Sequence, residues 1–271
     1  YYTLWHFSWM AGYIPRWMVL TSGSLLGKLI YHLFPIRKKV VQRNLKTAYP
    51  QINTDNLEDT TLVVYEHFGK ILFDFLRFPF LNKRRLKNTV TFSPQAEDIL
   101  QKYSQGILLT AHLGNWEIIT HAVAIMGKNV TGIARRQKNK GFDRFLMWAR
   151  QANGCKIIDK KGSSRQMLTT LKKGFLLLAS DQYSKGSDIK NLFYGKETLS
   201  PKGAALFNLK TGAPIIFSIA YLNPDKTYFI HMEELNIELD DNLSTNEKIQ
   251  QLNQDYHNKL EIWIDKYPEQ Y

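Results

Sequence analysis

From about residue 104 onward the chain alternates short apolar runs with stretches of helical pattern, and this alternation limits the fold more than any other feature. The runs at 106–112, 129–134, 155–159, 175–181, 213–221 and 227–233 are short, apolar and rich in β-branched or aromatic residues, as strands are. Between them, 115–126, 141–152, 163–173 and 202–211 have helix-compatible composition, and 245–265 closes the chain as an amphipathic helix. Such alternation predicts an α/β domain with a central, mostly parallel sheet flanked by helices. The first hundred residues read as helices only, with 57–80 the clearest. No repeat, low-complexity tract or linker rich in Gly, Pro or Ser divides the chain. The sequence therefore predicts one continuous domain, with a helical region at 1–100 and an α/β region at 101–271.

Within that frame, "GILLTAHLGNWEIITHAV" (106–123) begins as a strand and ends as a helix, with His112 and Glu117 at the junction. In a continuous helix, residues five apart point roughly 140° away from each other, so the two side chains meet only if the chain turns between them. Gly114 and Asn115 supply a turn, since Gly tolerates unusual dihedrals and Asn is a good helix N-cap. His112 is then placed at the carboxyl end of a strand and Glu117 in the first helical turn, where open α/β sheets gather ligands. Spacing alone leaves a structural role open beside a catalytic one. His121, four residues past Glu117, is expected on the helix surface or in its lining.

Lys and Arg total 36 against 24 Asp and Glu, a formal charge of +12. An anionic partner is implied, with DNA, RNA, acidic lipid and an acidic carrier protein all qualifying. The single Cys155 excludes an intramolecular disulfide framework and any multi-Cys zinc site, and agrees with a reducing compartment. Residues 1–34 contain no acidic residue and carry Trp5, Trp9 and Trp17, aromatics suited to a membrane interface. Pro15-Arg16 interrupts the segment, so no run of about 18 apolar residues exists for a straight transmembrane helix. An interfacial or re-entrant helix is expected instead. Directly after it, Arg37, Lys38, Lys39, Arg43 and Lys46 form a basic segment of the kind found on the cytoplasmic side of a membrane, and Lys83, Arg84, Arg85 and Lys87 form a second cluster. Each cluster is also compatible with a solvated helix face. The sequence does not begin with Met and has no signal-peptide cleavage pattern, which suggests an initial piece outside it. It contains no Gly-x-Gly-x-x-Gly, P-loop, His-Glu-x-x-His or Gly-x-Ser-x-Gly motif, so nucleotide, zinc-protease and serine-hydrolase readings have no direct support.

"HLGNWE" after an apolar strand resembles the His-x-x-x-x-Asp/Glu motif of the glycerolipid and lipid A acyltransferase superfamily. "IRKKVVQRNLKTAYP", "ARRQKN", "WARQANG", "LKKGFLLLASDQ" and "LFYGKETLSPKGAALFNLKTGAPII" follow in the order of one branch, the bacterial lipid A late acyltransferases of lauroyl/myristoyl type. The likeness covers roughly residues 25 to 222. Glu117 stands where the glycerolipid branch usually has Asp, and that branch's acidic-Gly-Thr block is missing. Both departures point to the lipid A branch, which also includes related mycobacterial glycolipid acyltransferases.

The resemblance implies a glycerolipid-acyltransferase-like α/β fold with an N-terminal membrane-associated helical region, on the cytoplasmic face of the inner membrane. It implies a fatty acyl chain moved from an acyl carrier protein, or from coenzyme A, to a hydroxyl of a lipid A precursor. No cofactor is expected beyond the acyl thioester, and the expected partners are anionic membrane lipid, a glycolipid acceptor and acyl carrier protein, not nucleic acid. A neutral imidazole can act as general base near neutral pH, which gives His112 its role. Glu117 is expected to accept from its other ring nitrogen. The thioester is already activated, so Cys155 need not take part. The backbone N–H groups of Gly114 and Asn115, or a nearby guanidinium, are expected to hold the oxyanion, which puts Asn115 with the substrate. By likeness to the family, Arg150 and Asp181 join the catalytic set. Arg135 and Arg136 end a candidate strand and could hold substrate phosphate. The alternatives are an acyltransferase for another glycolipid or aminolipid, and a non-enzymatic binder of anionic membrane or nucleic acid.

Overall fold

The computed structural model describes residues 2–160, 164–183 and 188–271. Four helices open the chain: α1 (Tyr2–Tyr13), α2 (Arg16–Leu33), α3 (Lys38–Ala48) and α4 (Thr54–Phe75). Pro15 separates the first two, and α4 begins where the Asn53 side chain accepts from the Asn56 N–H. A 3₁₀ turn at Phe78–Phe80 and α5 (Lys83–Lys87) lead to β1 (Val90–Phe92) and α6 (Pro94–Lys102). The α/β part follows as β2 (Gly106–Thr110), α7 (Ile118–Ile125), β3 (Val130–Ala134), α8 (Lys140–Arg150), β4 (Lys156–Asp159), α9 (Ser164–Leu171) and β5 (Phe175–Ala179). A hairpin, β6 (Ile189–Phe193) and β7 (Lys196–Ser200), precedes α10 (Gly203–Thr211), β8 (Ile215–Leu222), β9 (Tyr228–Glu234) and α11 (Thr245–Lys266). A capping box between Ser244 and Glu247 starts α11.

Seven strands form one sheet in the order β1-β9-β8-β2-β5-β3-β4. All neighbours are parallel except β8 and β9, so the sheet is mostly parallel, as the sequence predicts. Successive residues of the central strands feed opposite cores. Leu108, Phe175, Leu177 and Ile216 pack on one face with α4 to α8, while Ile107, Leu109, Leu176, Ile215 and Phe217 pack on the other with α9 to α11. Every residue of β2 is buried, which explains its unbroken apolar run.

Two elements depart from the sequence reading. β1 lies within the first hundred residues, read as helical throughout; it is three residues long, and only its parallel register with β9 makes it a strand. The β6–β7 hairpin falls in a stretch assigned no element. Both strands are short, β7 is buried only at Ser200, and Tyr194 and Gly195 both have positive φ at the turn. The helix predicted over 163–173 is seen as Ser164–Leu171, residue 163 lying outside the described residues.

The N-terminal helices are held to one another by two devices. α2 and α4 touch backbone to backbone, and a Cβ on Gly23 would lie 2.4 Å from the Gly69 carbonyl oxygen. Such close approach is typical of small-residue helix contacts. The second is an ion cluster around Asp74, which is wholly buried on α4. Arg16 Nη2 reaches it at 2.7 Å and Arg77 Nη1 at 3.0 Å. Arg77 Nε also donates to the Ala11 carbonyl at 3.2 Å. No single helix among the described residues is long and apolar enough to cross a membrane; α2 and α3, bent by 99°, pass that test only as a pair.

Candidate active site

β2 and β5 are adjacent and parallel, with Thr110 opposite Ala179, so the residues just beyond both carboxyl ends share one crevice. The pairing continues through the Ser180 N–H, which donates to the Thr110 carbonyl at 3.0 Å. His112 and Asp181 therefore face each other. His112 Nδ1 lies 2.8 Å from Asp181 Oδ1, and the His112 backbone N–H donates to Oδ2 at 3.1 Å. The carboxylate fixes both the ring and its tautomer: with Nδ1–H donating, Nε2 carries the free lone pair. The His112 side chain is 31% exposed and that of Asp181 is 2% exposed. Asp181 is thus buried behind a ring that meets solvent. Tyr271 hydrogen-bonds Asp181 from behind; burial and that carboxylate raise its phenol, which stays a donor. Beside them, a cavity of about 20 Å³ lined by Ser180, Thr198, Ser200 and His257 has room for one water.

This corrects the expected role of Glu117. Its carboxylate does not orient His112. It pairs with Arg150, whose Nε lies 2.9 Å from Oε2 and whose Nη2 donates to Oε1. Burial alone would lower Arg150, but the bonds to Glu117 hold it above its usual value. The helix starts later than the sequence suggests, at Ile118, so Glu117 occupies the N-cap position and Asn115 does not cap. Arg150, in the last turn of α8, is brought to Glu117 by tertiary packing alone.

The turn between His112 and Glu117 is built on Gly114, which has φ +60°. A Cβ there would lie 2.0 Å from the Ala220 carbonyl oxygen. The Gly114 N–H donates to Gln270 at 2.8 Å and the Asn115 N–H to Ala220 at 2.7 Å. Both expected oxyanion donors are therefore already spent on the fold. The Asn115 side chain is wholly buried beside the Tyr228 hydroxyl, which removes it from direct contact with substrate. Arg135 and Arg136 follow β3, the neighbour of β5, at the same edge of the sheet; both are exposed, and Arg136 pairs with Asp143 at 3.3 Å. Trp116, part of the quoted motif but given no role there, lays its ring 4.6 Å from that of His112 and is backed by Phe68 of α4. Tyr271 carries no motif that would have marked it. Among the described residues, no group of His, Cys, Asp and Glu could hold a metal ion.

Of the two places expected for His121, surface or lining, the surface is excluded: it is 1% exposed, with its ring against Phe78. Burial pushes His121 down to about 4, and His67 of α4 likewise. Their unfolded values are near 6.5, so between pH 6.5 and 4 the unfolded chain binds more protons than the folded one. Stability is complete above that window and falls as pH drops through it, by at most about 1.4 kcal/mol per pH unit for each histidine. Thermal melts from pH 7 to pH 4.5 should show this decline, about halved in a His121→Phe variant. A melting temperature flat across that range would contradict it.

The family model of bacterial lipid A biosynthesis acyltransferases matches residues 1–271. Among curated proteins, the chain is 24% identical over 222 residues to the lipid A biosynthesis lauroyltransferase of Escherichia coli (strain K12), covering 80% of this chain and 72% of that protein. The chain belongs to the bacterial lipid A biosynthesis acyltransferase family.

Proposed function

We propose that this acyltransferase moves a fatty acyl chain from an acyl thioester, carried on acyl carrier protein, to a hydroxyl of a lipid A precursor, with His112 as general base. The observation that carries the reading is the His112–Asp181 pair, 2.8 Å apart, with Nε2 left open on the exposed side of the ring. Nε2 takes the proton of the acceptor hydroxyl as its oxygen attacks the thioester carbonyl. The tetrahedral intermediate collapses with cleavage of the C–S bond, and the imidazolium returns its proton to the leaving thiolate. Asp181 stabilises the imidazolium in between. With the Gly114 and Asn115 N–H groups occupied, the oxyanion falls to a guanidinium. Arg150 is the residue assigned, since its bonds to Glu117 use Nε and Nη2 and leave Nη1. Arg135 and Arg136 at the crevice edge suit the acceptor's phosphate.

No acyl-enzyme is required. Cys155 is 4% exposed, and burial pushes its thiol up to about 11, the reverse of an activated nucleophile. The test is to incubate the purified protein with acyl-carrier-protein thioester and a lipid A precursor and to seek the singly acylated product by mass spectrometry. Cys155→Ala should make it at close to the wild-type rate, and no protein-bound acyl group should accumulate when acceptor is omitted. Absence of product from the wild type would end the reading. A trapped acyl-Cys155 that discharges onto acceptor would replace direct attack with a covalent route.

The acceptor is a lipid, and the first two helices support a site on the inner membrane facing the cytoplasm. Phe7, Trp9, Met10, Tyr13, Trp17 and Leu25 are exposed along them. Anionic lipid would be drawn by the neighbouring Arg37, which is exposed. Each large apolar side chain gains roughly 1.5–3 kcal/mol if fully buried, so insertion should outweigh screened surface charge. Removing residues 1–34 outright would strip Arg16 from Asp74 and leave a buried carboxylate short of a partner. Replacing Trp9, Trp17 and Phe34 with Ser is the cleaner change, and should cut flotation with liposomes about tenfold or more. Undiminished flotation with neutral vesicles would show that these helices are not the anchor.

A further inference from the structure

A groove of about 550 Å³ runs between α3 and the β6–β7 hairpin, lined by Lys39, Gln42, Arg43, Lys46 and Thr47 on one side and Lys196 on the other. Lys39, Arg43 and Lys46 recur at the spacing of one helix face, and Lys196 opposes them from the start of β7. All four cations are exposed, and none has an ion-pair partner among the described residues. No acidic residue lines the groove. Its neighbour Lys38, by contrast, is tied to Glu58 at 2.7 Å.

The geometry points to this groove as the docking site of the acidic carrier protein that presents the acyl thioester, an inference that rests on the acyl-transfer reading above. Three observations carry it. The first is charge: four unpaired cations facing one concavity attract a row of carboxylates and steer an acidic protein into place. The second is shape. One turn of α-helix, about 5.4 Å long and 10 Å across, occupies on the order of 400 Å³ and suits this open groove of about 550 Å³. Most of the exposed apolar residues of the N-terminal helices lie on α1 and α2, with Val40 alone on α3, which is bent by 99° from α2. The third is position. β7 runs from Lys196 at the groove to Ser200, which lines the small cavity beside Asp181. Four strand steps at about 3.4 Å place the two ends about 14 Å apart.

Binding of a fluorescently labelled acyl carrier protein to the full chain, read by anisotropy, tests the inference without needing turnover. The Kd should rise tenfold or more in a Lys39→Ala/Arg43→Ala/Lys46→Ala variant and in the separate Lys196→Glu variant, and wild-type binding should weaken steeply with salt. His112→Ala should bind like the wild type, and flotation of the groove variants with phosphatidylglycerol-containing vesicles should change less than twofold. Unchanged carrier binding in both groove variants would overturn the proposal. So would loss of flotation with carrier binding intact, which would make the groove a lipid contact. Lys196→Glu lies outside α3 and decides the matter if the triple variant fails to fold. A wild type that binds the carrier through these cations but transfers nothing would count against the acyl-transfer reading alone.

Discussion

His112→Ala is expected to abolish acyl transfer, lowering kcat by roughly 10²–10⁴, the range a positioned general base contributes. Asp181→Asn should be nearly as damaging. The amide keeps the shape of the carboxylate but not its charge, so it neither holds the Nδ1–H tautomer firmly nor stabilises the imidazolium. In a hydrolase triad that loss is worth about 10⁴ in kcat. Glu117→Gln should behave differently, because Glu117 is bonded to Arg150 and not to His112. It leaves a half-buried guanidinium without its counter-charge, so part of the effect should appear as a lower melting temperature. Steady-state kinetics paired with thermal melts on all three variants separate the roles. Wild-type turnover in Asp181→Asn, with Glu117→Gln dead and fully stable, would restore Glu117 as the partner of the base.

Gly114→Ala is expected to remove both stability and activity. A left-handed backbone costs a residue with a Cβ about 1–2 kcal/mol, and here the added carbon would sit 2.0 Å from the Ala220 carbonyl oxygen. That contact cannot be relieved by rotating a side chain. The turn must move, weakening the Asn115 bond to Ala220 and the Gly114 bond to Gln270, each costing about 1–3 kcal/mol if left unmade. A loss of about 3–5 kcal/mol corresponds to a fall of roughly 6–20 °C in melting temperature for a domain of this size. His112 precedes the turn by two residues, so its alignment with Asp181 should go as well. A variant that melts within about 2 °C of the wild type and keeps its turnover would show that the loop tolerates another path.

Local pattern carried much of this protein. The alternation of apolar runs and helical stretches after residue 104 announced an α/β fold, because parallel strands buried on both faces must be apolar throughout, as β2 is. The turn at Gly114 was legible because only Gly takes a positive φ readily where a backbone presses close. Resemblance, and not spacing, brought Arg150 and Asp181 into the set. What neither could supply was partnership. His112 and Glu117 are near in sequence, yet the acid that meets the imidazole is 69 residues away. It arrives because β5 lies beside β2 in parallel register, and Glu117 turns instead to Arg150, 33 residues on. The β1 strand and the β6–β7 hairpin escaped for the same reason: three to five residues specify a strand only when a neighbour supplies its hydrogen bonds. The free N–H groups expected at the turn were consumed by Ala220 and Gln270, distant carbonyls that a linear reading cannot place. Sequence determined which residues could do chemistry and where the chain must bend; strand order and register decided which of them meet, since hydrogen bonds and ion pairs act over about 3 Å and distances along the chain do not set distances through space.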